Sequence, residues 1–264
     1  MGRIAGRFVR VEPRRRARAF VLGLLSDLPR KNCWTLAEYA GDTTPYGLQH
    51  LLSRARWDAD AVRDDIRSFV VERLHHQEAV LVVDETGDLK KGTLTVGVQR
   101  QYSDWALTDI ADDRPGHHQL LVRRNRRTRE LGFYRCYSAT QVPLSTLVRV
   151  AGRRWTVEET FQSGKGLAGL DEDQVRRWTS WHRWVTLAML AHAFLTVVRA
   201  DEQARDPTPD GLIPLTCNEI QHLFTALIVQ PAPEAAYRLR WSHWRRRHQA
   251  RSQTSHYQRQ AAQT

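Results

Sequence analysis

The 264-residue chain is long enough for one large domain or two small ones, and a hydrophobic content of 41% excludes a disordered polypeptide. No unbroken apolar run reaches bilayer length and the start, Met1 to Arg7, lacks the apolar stretch and cleavage site of a signal peptide, so no membrane partner and a cytoplasmic location are expected. Cys33, Cys136 and Cys217 are odd in number and far apart, which excludes a disulfide framework or a clustered zinc site.

The formal charge is +11, with an isoelectric point near 10.2, and the only lysines are Lys31, Lys90, Lys91 and Lys165. Arginine binds phosphate oxygens in a bidentate fashion, so a polyanion is one natural partner. Arginine-rich codon usage in a G+C-rich genome is the other reading, and charge alone leaves both open.

In chain order the first elements are helical. Val21, Leu24, Leu25 and Leu28 repeat at helical spacing, and Thr35 opens a short segment through Leu36 and Tyr39 that Gly41 closes. Thr44 as cap and Pro45 at the first helical position start a second short helix with Leu48, Leu51 and Leu52 on its apolar face. The pair has a helix-turn-helix outline, which a DNA-reading unit and any small helical bundle share. Val62, Ile66, Phe69, Val70 and Leu74 mark another amphipathic helix.

At residue 79 the period changes. Ala79, Val80, Leu81, Val82 and Val83 form a continuous apolar run ending on Asp84, as a buried central strand does, and Thr93 to Val98 form a second strand. Gln119 to Val122 and Leu131 to Tyr137 flank a turn at Asn125 to Arg129 and predict a hairpin. After Pro143 the chain is helical again, through Leu144 to Val150, then Trp155 to about Gln162, then about Trp181 to Val198. Asp206 to Gly211 form a loop, after which Thr216 and Glu219 have capping-box spacing. The tail from Arg238 to Gln260 interleaves Trp241, Trp244 and Tyr257 with arginines; DNA contact and a solvated, partly disordered end both fit it.

Two constellations carry chemistry. Asp84, at the end of a buried strand, is either a turn carboxylate accepting backbone N–H bonds or a metal ligand. Arg154, Glu158 and Lys165, spaced by four and seven, share a helical face, which is either a salt-bridged surface or a set that binds metal and phosphate. With Asp84 the set becomes coherent: metal-assisted DNA cleavage and transfer uses carboxylates to hold two divalent ions about 3.5–4 Å apart, with cations to orient phosphates.

Leu81 to Gly87, together with Arg154 to Gly166, resembles the DDE transposases of bacterial insertion sequences, whose catalytic domain has a ribonuclease-H-like fold. Arg, three residues, Glu, six residues, Lys is similar to the Tyr-Arg-Glu-Lys signature of one branch, and the likeness covers Arg3 to Ala200, including Val11 to Arg16 and the Lys90, Lys91, Gly92 turn. By that resemblance Asp84 matches the first catalytic aspartate and Glu158 the final glutamate, both ligands of Mg²⁺. Arg154 and Lys165 match the cations that contact DNA phosphates, and the signature's tyrosine falls on Ala151. The family's second aspartate follows the first by many tens of residues in a Gly-Asp-containing segment, and nothing of that form lies between Asp84 and Glu158. Asp104, Asp109, Asp112 and Asp113 fall instead in a stretch resembling the strand region before the final helices, so an internal deletion near 102–103 is inferred.

The resemblance therefore implies an α/β fold: an incomplete ribonuclease-H-like catalytic core with an N-terminal helical domain and a helical C-terminal region. The expected divisions are a DNA-binding domain at 1–75, the deleted catalytic domain at 76–200 and a basic tail at 201–264. The implied partners are double-stranded DNA, the transposon's terminal inverted repeats and a second copy of the chain. The expected function is a transposase by descent, truncated and inactive in this copy. The alternatives are a non-catalytic DNA-binding protein that inhibits an intact transposase and a chain too depleted to fold stably.

Overall fold

The computed structural model describes residues 1–75, 103–209, 212–228 and 235–261. The strands expected at 79–83 and 93–98, and Asp84 with them, lie outside the described residues. Two compact units divide the chain: Met1–His76 with Phe161–Thr264, and Gln77–Thr160. Among the described residues they hold eight α-helices and one three-stranded antiparallel sheet.

In the first unit a 3-10 turn, Ala5–Arg7, precedes α1, Val11–Leu25. The basic run Arg14 to Arg16 carries no apolar period, which hid the first two turns of α1 from the sequence reading. Helix α2, Cys33–Tyr39, is opened by Asn32 and not by Thr35. Asn32 Oδ1 accepts from the backbone N–H of Trp34 and Thr35, while Thr35 Oγ1 accepts from the Asn32 N–H at 3.1 Å, a reciprocal capping box. At its other end Gly41 sits at φ +82°, and the N–H groups of Gly41 and Asp42 reach back to Glu38 and Ala37, so the expected glycine stop is a Schellman motif.

Helix α3, Tyr46–Ser53, starts one residue later than expected, with Pro45 before it and no side-chain cap from Thr44 or any other residue at that position. Helix α4, Ala59–Leu74, is capped by Asp58. Its N-terminal half is the buried half, through Ala59, Val62 and Ile66, while Phe69 and Val70 are half-exposed.

From the later sequence the same unit takes the end of α5 (Leu144–Ala168), then α6 (Trp178–Arg205), α7 (Cys217–Ile228) and α8 (Ala235–Ala261). By length and a mean hydropathy of 1.2, α6 passes the test for a membrane span, which no unbroken apolar run in the sequence had suggested. Its apolar residues, however, form the centre of this unit: Trp184, Leu187, Ala191 and Leu195 are fully buried, packed with Phe20, Leu24, Leu48, Leu51 and Val62. Phe20 meets Trp184 edge-on with ring centroids 5.2 Å apart. The Thr216–Glu219 capping box forms as expected, with Glu219 N–H to Thr216 Oγ1 at 3.2 Å and Thr216 N–H to Glu219 Oε2 at 3.0 Å.

The tail is ordered where it meets α2. Trp241 is buried and its Nε1–H donates to the Asp42 carbonyl at 2.9 Å, while Tyr237 Oη lies 2.8 Å from the carbonyl oxygens of Glu38 and Asp42. Trp244 packs edge-on against Trp34 at 4.9 Å. Of the aromatic residues interleaved with arginine in the sequence, Trp241 and Trp244 are thus anchors of a docked helix, whereas Tyr257 is exposed.

The second unit contains β1 (Ser103–Asp109), β2 (His117–Asn125) and β3 (Leu131–Ser138), paired antiparallel in that order, with Leu107 opposite Leu121 and Leu121 opposite Tyr134. The expected hairpin is β2–β3. Its turn is closed by Asn125 Oδ1, which accepts from the N–H groups of Arg127 and Thr128, and Arg129 takes φ +61°. One face carries the buried Leu121 and half-buried Trp105, Tyr134 and Cys136; on β3 the opposite face exposes Leu131, Phe133 and Tyr137.

Candidate active site

Arg154, Glu158 and Lys165 all lie on α5, a single helix of 25 residues. The helix runs through Gly164 and Gly166, so the glycines that weaken helical propensity there do not end it. Thr156 and Thr160 return their hydroxyls to the carbonyls of Arg153 and Thr156, at 2.6 and 2.7 Å, instead of leaving the helix for a turn conformation. On one helix, spacings of four and seven place the three residues along one face, rising about 6 Å and about 10 Å along the axis. Glu158 and Lys165 are half-buried.

What stops α5 is specific. Gly169 takes φ +61°, and a Cβ there would stand 3.0 Å from the Lys31 Cβ, so both the left-handed backbone and the close approach require glycine. The exposed carbonyls of this helix end are bound by donors from three elements. Lys31 Nζ and Gln221 Nε2 donate to the Leu167 carbonyl at 2.6 and 2.8 Å, and Trp184 Nε1–H donates to the Gly169 carbonyl at 2.9 Å. Burial lowers the Lys31 ammonium to about 8, with Glu172 and Asp27 acting in the opposite direction. No local sequence signal marked this lysine, because its burial depends on residues more than 130 positions away.

The four aspartates after Tyr102 have distinct surroundings. Asp104 accepts from Arg124 and Arg126, at 2.7 Å to each, and the two guanidiniums hold its carboxyl below the usual range. Asp112 accepts two bonds from the Arg114 guanidinium, one from the Arg114 backbone N–H and one from Arg135, with His118 Nδ1 at 3.4 Å, and its carboxyl is held far below the usual range, first by Arg114. Asp109, at the end of β1, accepts instead from the neutral Gln119 amide at 2.9 Å. Asp113 is exposed.

Asp84 lies outside the described residues. Among the described residues no group of three histidine, cysteine, aspartate or glutamate side chains stands together as a metal cluster. The described residues therefore do not by themselves make a two-ion site.

The arginines are not equally disposed toward a polyanion. Arg3 pairs with Glu72, and Arg7 grips Asp65 with two bonds of 2.8 and 2.7 Å, so both are engaged by α4. Arg16 lies over Gly47, where a Cβ would come within 2.9 Å of its Nε. Arg10, Arg14, Arg15 and Arg18 are exposed on or just before α1.

Residues 5–115 match the family model described as DDE superfamily endonuclease. That stretch begins in the N-terminal helices, takes in Asp84 and ends in the loop after β1. The chain is also similar to a protein of Microchaete diplosiphon described as a probable transposase for insertion sequence element IS701, with 37% identity over 81 residues. The aligned part is 31% of this chain and 21% of that relative, so the match spans about a fifth of the relative's length. No solved structure matches.

Proposed function

We propose, from the match of residues 5–115 to the DDE superfamily endonuclease model and the likeness to an insertion-sequence transposase, that the chain is an insertion-sequence transposase by descent that binds DNA but lacks a complete catalytic centre. In this reading Asp84 and Glu158 are the remaining catalytic carboxylates, oxygen donors of the kind that suit a hard ion such as Mg²⁺. Arg154 and Lys165 face the phosphates of double-stranded DNA at the terminal inverted repeats, in an assembly that includes a second copy. The divisions are 1–75 for DNA binding, 76–200 for a ribonuclease-H-like core deleted near 102–103, and 201–264 for the tail.

The observation that carries the reading is the continuous family match across 5–115, which joins the helix-turn-helix outline to Asp84 in one inherited stretch. The exposed Leu131, Phe133 and Tyr137 on one face of β3 support the deletion, since an uncovered apolar sheet face is what removing a covering layer leaves.

A second reading is favoured by the first unit. Its helices close over a continuous apolar core that draws on α1, α3, α4 and α6 without any residue of the sheet, so DNA binding alone, as an inhibitor of an intact transposase, needs no catalytic centre. The two readings share one test. Titration of a duplex bearing the element's terminal repeat should give an affinity that falls steeply with salt, at a log–log slope of about −3 or steeper. An affinity indifferent to salt would remove both. Sequencing the DNA around the locus separates descent from coincidence: terminal repeats and a longer copy with the missing segment are expected.

A further inference from the structure

Helix α8 divides into two halves with different surroundings. From Tyr237 to His248 it is docked: Tyr237 and Trp241 on the α2–α3 turn, Arg245 paired with Glu38, and Trp244 and His248 against Trp34. Trp244 also lies 6.0 Å from Tyr46, the first residue of α3, so the docked half runs beside the N-terminal end of the second helix of the helix-turn-helix outline. From Gln249 to Arg259 every residue is exposed. Across Ala235–Ala261 there is no aspartate or glutamate.

The cations of this helix are patterned. Arg240, Arg247 and Arg251 are exposed and spaced by seven and four, which at about 100° per residue puts them within about 40° of one another on a single stripe. That stripe flanks the docked face and does not oppose it, since Arg240 stands one residue before Trp241 and Arg251 three residues after His248. From Arg240 to Arg251 the stripe rises about 16 Å along the helix axis, the axial rise of about five steps of a DNA strand.

We propose that the Arg240, Arg247, Arg251 stripe of α8 is a phosphate-gripping rail that holds duplex DNA alongside the N-terminal end of α3. This rests on the DNA-binding reading above and adds to it the element that makes the contact. The docking of Trp241 and Tyr237 fixes the stripe relative to α3, so backbone contacts by α8 set the register in which α3 meets the groove. The partner is duplex DNA because an acid-free row of exposed guanidiniums on one stripe matches a row of phosphates, and because the stripe runs beside a helix-turn-helix outline.

The test uses the full chain and a duplex DNA oligonucleotide. R240A/R247A/R251A should lower affinity by a similar factor on every duplex sequence and make the log–log salt slope shallower by about 2.7, as expected for three lost phosphate contacts. Lysine at all three positions should restore most of the slope. R3A/R63A/R205A, which removes the same charge from arginines already paired with Glu72, Asp60 and Glu202, should leave the slope unchanged. An equal change in that control, or tighter binding to duplex RNA than to duplex DNA, overturns the proposal. If the unsubstituted chain shows a steep slope and the α8 triple variant keeps it, the rail alone is wrong; if the unsubstituted chain shows none, the DNA-binding reading fails with it.

Discussion

A buried ammonium is a cost that the surrounding structure must offset, and Lys31 makes that cost measurable. Its Nζ donates to the Leu167 carbonyl and its backbone N–H to Glu172 Oε2, each at 2.6 Å, yet burial still lowers it to about 8 from its ordinary 10.5. Below pH 8 the group is protonated in both folded and unfolded chains, and the full penalty is present. Between pH 8 and 10.5 the folded state sheds its proton first, the unfolded state binds more protons, and stability rises with pH. Lys31→Met should remove that rise while leaving the Leu167 carbonyl bonded to Gln221 Nε2. Urea unfolding at pH 7 and pH 10 should therefore show the unsubstituted protein gaining on the variant by on the order of 1–3 kcal/mol. Burial holds the Cys33 thiol up to about 12 and opposes the rise above pH 9, but it does so in both proteins, so their difference isolates Lys31. Parallel stability curves for the two would show that the ammonium is not desolvated.

Helix α8 shows how an element with little intrinsic apolar period is held by a few anchors. Trp241 is its one fully buried side chain among the described residues, and its indole N–H satisfies the Asp42 carbonyl at the turn between α2 and α3. Trp241→Ala should cost about 3–5 kcal/mol, the usual range for deleting a buried indole, and should expose the arginine-rich helix to trypsin while α1–α4 stay protected. Cleavage no faster than in the unsubstituted chain would show that Tyr237 and Trp244 dock the helix unaided. The same element marks the boundary of what the sequence could disclose. Local signals were legible: the Gly41 stop, the Thr216–Glu219 box, the β2–β3 hairpin with Asn125 at its turn, and the Leu48, Leu51, Leu52 face. Strand β1 was not picked out because only Trp105 and Leu107 alternate within a run flanked by Asp104 and Asp109. The docking of α8 and the burial of Lys31 each depend on residues more than 130 positions distant, and no local pattern encodes such a pairing. For the candidate site, spacing placed Arg154, Glu158 and Lys165 on one helix, whereas the arginine partners of Asp104 and Asp112 emerge only from cross-strand register and loop folding.

At the scale of the whole molecule the chain is expected not to cleave or join DNA by itself. Two divalent ions and a phosphate concentrate charge in one pocket, and the ions are held by carboxylates in fixed positions. In the proposed reading Asp84 and Glu158 supply two such carboxylates, and the candidates for a third are the aspartates after Tyr102. Asp104 has its oxygens engaged by Arg124 and Arg126, and Asp112 by Arg114 and Arg135, so recruiting either to an ion breaks charge-assisted bonds already made. Asp109 differs, because its partner is the neutral Gln119 amide, and a bond of that kind is cheaper to exchange. It stands on a sheet strand, a rigid platform, but the family resemblance assigns it no catalytic role, and placement to within about an ångström governs such chemistry. The decisive experiment is strand cleavage of a duplex bearing the cognate terminal repeat with Mg²⁺ or Mn²⁺, run with the unsubstituted chain, Asp84→Ala and Asp109→Ala. No nicking by any of the three is the expected result, with duplex binding intact in all. Nicking by the unsubstituted chain that vanishes in both variants would refute inactivity and identify Asp109 as the substitute ligand, whereas nicking that survives Asp84→Ala would place the chemistry outside the proposed carboxylates altogether.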